Sequence, residues 1–150
     1  MKTKRSLAPL ILLILMAVAP MAVPQAVVSP AEANKKLVLD FFRIVFDAQN
    51  VAAADQFLAE GYVQHNPLVA SGRDGFVKYF QGKWKESRPV QATLRNPPVQ
   101  IVAEGDLVTL LWKVKRPEPS DKSKTYDSFW FDMFRVKDGK LAEHWDNALK

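Results

Sequence analysis

Apolar residues along the chain follow two spacings, and the change comes near residue 90. Before it, Leu37, Val38, Phe41, Ile44, Val45 and Ala48 recur at helical intervals through KKLVLDFFRIVFDAQ, with Asn34 as a candidate N-cap. This spacing predicts one amphipathic helix. Asn50 precedes the Ala-rich VAAADQFLA, which predicts a second helix ending before Gly61. YVQHNP then predicts a short extended piece stopped at Asn66-Pro67. After Ser71-Gly72, Phe76, Val77, Phe80 and Trp84 lie on one face of a third helix that fades before Pro89.

Beyond that point the period is two. VQATLRN, VQIVAE, LVTLLWKVKR, TYDSFWFDMFRV and KLAEHWDNA read as strands, separated by Pro97-Pro98, Glu104-Gly105-Asp106, Pro117-Glu118-Pro119 and Asp138-Gly139. Strands joined by tight turns run antiparallel. Helices followed by a meander predict an α+β domain, with three N-terminal helices packed on one face of a curved antiparallel sheet. Such a sheet, closed by helices, leaves a cone-shaped pocket of the kind that binds small ligands.

Composition trims this domain at its N-terminus. Lys2, Lys4 and Arg5 precede an apolar run from Leu7 to Ala19, and Ala31-Glu32-Ala33 supplies a small-residue cleavage pattern, so residues 1–33 read as a signal peptide and 34–150 as the domain. The apolar run, broken by Pro9 and Pro20, is shorter than the ~20 residues of a membrane span. The expected destination is therefore secreted or periplasmic, with no membrane attachment after cleavage near Ala33. Cleavage removes three basic side chains and one acid, which lowers the net charge from +5 to +3. Those charges alternate in sign, as in KWKESR and SDKSK, and no nucleic-acid partner is expected. The chain has no Cys, so packing alone must stabilise the exported domain, and no thiol nucleophile is available.

Candidate chemistry centres on FWFDMFRVKDGKLAEHWDN. Alternation puts Tyr126, Ser128, Trp130, Asp132, Phe134 and Val136 on one face of a strand, with Phe129, Phe131 and Met133 on the other. Asp132 thus shares a face with large aromatics. A carboxylate there loses hydration and becomes a candidate proton carrier; a strut that ties down a loop is the competing role. Its cross-strand neighbour depends on the hairpin at Asp138-Gly139. A two-residue turn pairs Lys137 with Lys140 and sets Asp132 opposite Trp145. A three-residue loop with a bulge pairs Val136 with Lys140 and sets Asp132 opposite His144, and this register is favoured because it groups Asp132, His144 and Asp146 on one face. His65, at the end of its extended piece, is placed to reach the pocket mouth, and an imidazole ordinarily exchanges its proton near neutral pH. No pair of His or acidic residues has a recognised ligand spacing, so no metal is expected. Gly-rich phosphate loops and G-x-S-x-G are absent from the sequence.

YVQHNP, VAEGDLV and FDMFRVKDGKLAEHWD resemble, in order and spacing, the SnoaL-like polyketide cyclase family of the nuclear transport factor two superfamily. The resemblance covers about Asn34 to Asn147. It implies a deep pocket, frequent homodimerisation, and an acid/base carboxylate, at the position of Asp132, that works without metal or cofactor. The expected function is aldol cyclisation or isomerisation of a small hydrophobic carbonyl compound. Asp132 would be the base, His65 or His144 would assist it, and Tyr62, Phe80, Trp84, Trp112, Trp130 and Phe134 are candidates to hold the substrate. The alternatives are a non-catalytic binding protein for a small hydrophobe and an interaction domain working through its open sheet face.

Overall fold

The computed structural model describes residues 28–149. Helix α1 (Pro30–Phe41) starts four residues before Asn34: Ser29 Oγ accepts the Glu32 backbone N–H at 3.3 Å, and Pro30 occupies the first turn, where its missing N–H costs nothing. Residues 1–27 of the expected signal peptide lie outside the described residues, and Ala31-Glu32-Ala33 sits within the first turn of α1. The helix continues as a π-helical stretch, Phe42–Asp47, in which Phe42 and Phe46, four residues apart, both line the cavity described below.

A single turn each of 3-10 helix (Val51–Ala53) and α2 (Ala54–Phe57) follows. The second helix stops sooner than its composition predicts. Strand β1 begins at Leu58 and runs to Gln64, because fully buried Leu58 pairs with Leu141 in the sheet and tertiary pairing overrides local propensity. Helix α3 spans Arg73–Gln81; Trp84 lies beyond its end but stacks on Phe80 at 4.5 Å. The predicted strand VQATLRN does not form. Its backbone is used instead by helix side chains: Arg43 donates to the Gln91 carbonyl at 3.1 Å, and the Arg95 N–H donates to Asp47 at 2.8 Å. With prolines on both sides, residues 85–99 form a loop across the end of the π-helical stretch.

The remaining strands are β2 (Gln100–Glu104), β3 (Leu107–Pro117), β4 (Thr125–Lys137) and β5 (Lys140–Asp146), in sheet order β1-β5-β4-β3-β2. The sheet is mixed rather than antiparallel, since β1 runs parallel to β5. No tight turn joins those two, so nothing local dictates their direction. At Asp138 (φ 51°) and Gly139 (φ 70°) a two-residue turn pairs Lys137 with Lys140, not Val136 with Lys140. One extra residue, Ala142, is then accommodated between the pairs Val136–Leu141 and Arg135–Glu143. Beyond that bulge Asp132 lies opposite Asp146, so neither expected register is right. The favoured one is off by two residues, and a slip of two leaves every side chain on its face.

Phe41 is the hub of the core, with the rings of Phe57, Phe76 and Phe134 each 5.7 to 5.8 Å away. Helices cover the face of the sheet that carries Val108, Leu110, Trp112, Phe134 and Val136. The other face keeps Val63, Val102, Phe129 and Phe131 exposed, the two phenylalanines by 48% each. Among the described residues no helix is long and apolar enough to cross a membrane.

Candidate active site

Between helices and sheet lies a cavity of about 400 Å³, within the usual range for a small-molecule site. Its walls are largely aromatic, from Phe42 and Phe46 on the helical side to Trp112, Trp130 and Phe134 on the sheet. A polar cluster of Tyr62, Gln64, Asn66, Asp132, His144 and Asp146 also lines it.

Asp132 is the centre of this cluster and is 7% exposed. The cross-strand pair Trp112–Trp130 sets two indoles beside it on the same face, and both N–H groups point at the carboxylate: Trp112 Nε1–H donates to Oδ2 at 2.6 Å, Trp130 Nε1–H to Oδ1 at 3.2 Å. Asp132 Oδ1 also meets His144 Nε2 at 2.9 Å. Burial of the carboxylate is therefore compensated by three hydrogen bonds. Nδ1 of His144 lies 2.7 Å from Gln64 Oε1, and Phe134 packs against the ring at 4.5 Å.

Strand β1 delivers Tyr62 and Gln64 from the far side. It is held by β5 on one edge, while the Gly72 N–H donates to the Tyr62 carbonyl and Ser71 bonds both backbone groups of Gln64 on the other. Tyr62 is 1% exposed, and its hydroxyl accepts a long, 3.5 Å bond from Gln64 Nε2. Burial first, then the carboxylates of Asp132 and Asp146, push its pKa well above the usual tyrosine value, so the phenol stays protonated. Stability linked to this group is complete below the unfolded value of about 10 and is lost as pH rises from there through the higher folded value. We expect Tyr62→Phe to leave the phenolate absorbance of the folded protein at pH 10 unchanged. A drop of about half a phenolate or more, as for a phenol that titrates near its usual value of about 10, would show that Tyr62 ionises in place.

The strand's alternation separates two residues that the sequence reading joined. His65 does not reach the cavity: with Tyr62 and Gln64 facing in, it faces out, 2.8 Å from Glu143 Oε1 and stacked on Trp145 at 5.0 Å. Arg135 completes that outer cluster, bonded to Glu143 at 3.1 Å and to Asp106 at 2.7 Å. Trp84 does not line the cavity either, whereas Tyr62, Phe80, Trp112, Trp130 and Phe134 do. The sequence reading missed Gln64 and Asn66, although strand alternation from Tyr62 marks both for the same face.

Asp132, His144 and Asp146 bring one potential ligand atom each within 4.8 Å of one another. Those groups are already engaged: Asp132 as above, and Asp146 by Asn66 Nδ2 at 2.6 Å and the Ala148 N–H at 2.9 Å. A cation would have to displace indole and amide donors, so this set fits proton handling better than metal binding.

The model of the SnoaL-like domain matches residues 38–144. No curated protein matches the sequence. Among solved structures, TsrD from Streptomyces laurentii is 21% identical over 77% of this chain and 87% of its own, with a TM-score of 0.53. A candidate SnoaL-like polyketide cyclase from Jannaschia sp. CCS1 is 16% identical over 82% and 92%, with a TM-score of 0.56. An epoxide hydrolase from M. tuberculosis is 14% identical over 79% and 84%, with a TM-score of 0.55. At these identities the likeness is one of fold.

Proposed function

The chain belongs to the SnoaL-like domain family, with the fold of nuclear transport factor two, and from that premise we propose a cofactor-independent acid/base enzyme acting on a small hydrophobic carbonyl compound. The observation that carries this reading is Asp132, a buried carboxylate facing an aromatic cavity beside a phenol that keeps its proton. Asp132 takes a proton from the carbon next to the carbonyl. Tyr62 donates to the carbonyl oxygen as it gains enolate charge, a bond worth most where water is excluded. In an aldol cyclisation the enolate carbon then attacks a second carbonyl, and the proton returns to the new alkoxide. The aromatic walls hold the apolar body of the substrate, and His144 assists Asp132 rather than His65.

A fused-ring aromatic ketone such as 2-tetralone, incubated with the protein in D₂O, tests this. NMR is expected to show enzyme-dependent loss of the α-proton signals. Saturation transfer to a bound ketone whose α-protons do not exchange would favour the other reading, a carrier for small hydrophobes. The two indole donors on Asp132 suit that reading too, since they stabilise the carboxylate without asking it to react.

Two further proposals concern the whole chain. The first is export, with residues 1–33 removed: mass spectrometry of the protein recovered from its host should find a chain starting at Asn34. The mature helix would then begin without the Ser29 cap. An intact Met1 on the soluble protein would sink the idea. The second is a homodimer formed through the open sheet face, where Phe129 and Phe131 lie uncovered.

A further inference from the structure

From the hydrogen bonds around Gln64 we infer that it acts as a positioning residue, one that keeps a proton on His144 Nδ1 and so decides how the Asp132–His144 pair carries its protons. This rests on the proposed acid/base function only for its consequence, not for its evidence.

Gln64 Oε1 sits 3.0 Å from the Asn66 backbone N–H and 2.7 Å from His144 Nδ1. A backbone N–H can only donate. The atom facing it must be the amide oxygen, because the flipped amide would set two donors against each other. Since that oxygen can only accept, His144 Nδ1 must be the donor. The other ring nitrogen then has two states. As an imidazolium, Nε2–H donates to the Asp132 carboxylate at 2.9 Å; as a neutral ring, Nε2 accepts from a protonated Asp132. A neutral ring against an ionised Asp132 would oppose two lone pairs across that contact, and the geometry rejects it. Asp132 and His144 therefore hold one proton between them and together carry no net charge.

Gln64 is held in this role from both ends. The Asn66 side chain that follows the donating N–H is pinned by Asp146 at 2.6 Å, and the Gln64 backbone is tied to Ser71. The groups facing His144 on the inner side are Asp132, Gln64 and Phe134, with Tyr62 and Asp146 lining the same cavity; Glu143 and His65 belong to the outer face. For catalysis, the imidazolium form keeps the charge balanced. Asp132 accepts the substrate's proton and becomes neutral while the enolate takes up the negative charge, and His144 stays positive throughout. Through its Nε2, Gln64 also reaches Tyr62, so one amide touches the groups assigned to both the base and the oxyanion donor.

The two histidines of the chain make this measurable in the whole protein, because an imidazole ¹⁵N–¹H correlation spectrum contains only two rings. In the wild type at pH 7, His144 is expected to show a protonated Nδ1. Gln64→Leu should move the proton, giving a neutral ring protonated at Nε2, whereas Gln64→Glu keeps an acceptor in place and should restore the protonated Nδ1. A wild-type His144 with a bare Nδ1 would overturn the inference, and so would a Leu variant with unchanged ring shifts. If the Leu variant does not fold, the wild-type and Glu spectra still decide it. None of these readings needs turnover, so a protein that catalyses nothing could still pass, and an active one could still fail.

Discussion

Asp132→Asn is expected to slow α-proton exchange by roughly 10²–10⁴, the range for removing a positioned general base. The amide fills the same space but cannot accept the proton. Its effect on stability is set by the three groups that meet the carboxylate, the indoles of Trp112 and Trp130 and the ring of His144. With its oxygen toward Trp112, the Asn amide nitrogen faces His144 and Trp130. His144 adapts, since a neutral ring with its proton on Nδ1 can accept from the amide. Trp130 loses its acceptor, at a cost of about 1–3 kcal/mol if no water replaces it. Both the catalytic and the structural reading therefore predict a modest fall in melting temperature, and the melt alone does not separate them. Exchange measured beside ligand affinity does: a variant that binds the ketone normally yet exchanges it as fast as the wild type would remove Asp132 from the chemistry.

The face of β4 that carries Asp132 was legible because alternation needs only the strand itself. Trp130, Asp132, Phe134 and Val136 point inward, as their spacing requires. The identity of the cross-strand neighbour was not legible. It depends on Ala142, an alanine that nothing in the sequence marks as the extra residue of a bulge. The placement of His65 failed for a different reason: Tyr62 and His65 were both assigned to the pocket, although residues three apart on one strand face opposite ways. Applied consistently, the same rule would have exchanged His65 for Gln64. At the N-terminus Ser29-Pro30 is a readable helix start, but a signal-peptide reading competed for those residues. The convergence of two indole N–H groups on one carboxylate requires Trp112 and Trp130 to be paired across strands 18 residues apart in sequence, and only the folded register supplies that.

Phe131→Lys is expected to convert a dimer into a monomer without touching the cavity. Phe131 and Asp132 are consecutive on β4, so their side chains leave the sheet on opposite faces. Phe129 lies two residues along the same face of β4, and Leu111 pairs with Phe131 from β3; the helices, committed to the other face, cannot cover them. Hydrophobic association across a two-fold axis would bury two Phe131 side chains, one from each protomer. Phe131 is 48% exposed, so each gains about half of the ~1.5–3 kcal/mol of a fully buried side chain. The pair is worth about 1.5–3 kcal/mol, a rise in dissociation constant of roughly 10–10². The introduced ammonium adds a desolvation cost in the same direction. Light scattering at about tens of micromolar, a range in which a standard-sized interface is populated, should give twice the chain mass for the wild type and the single mass for the variant. The variant should bind and exchange the ketone normally if each protomer carries a complete site, as the location of the polar cluster within one chain requires. A wild type that is monomeric at that concentration would refute the dimer and leave the exposed phenylalanines without a partner of the same kind.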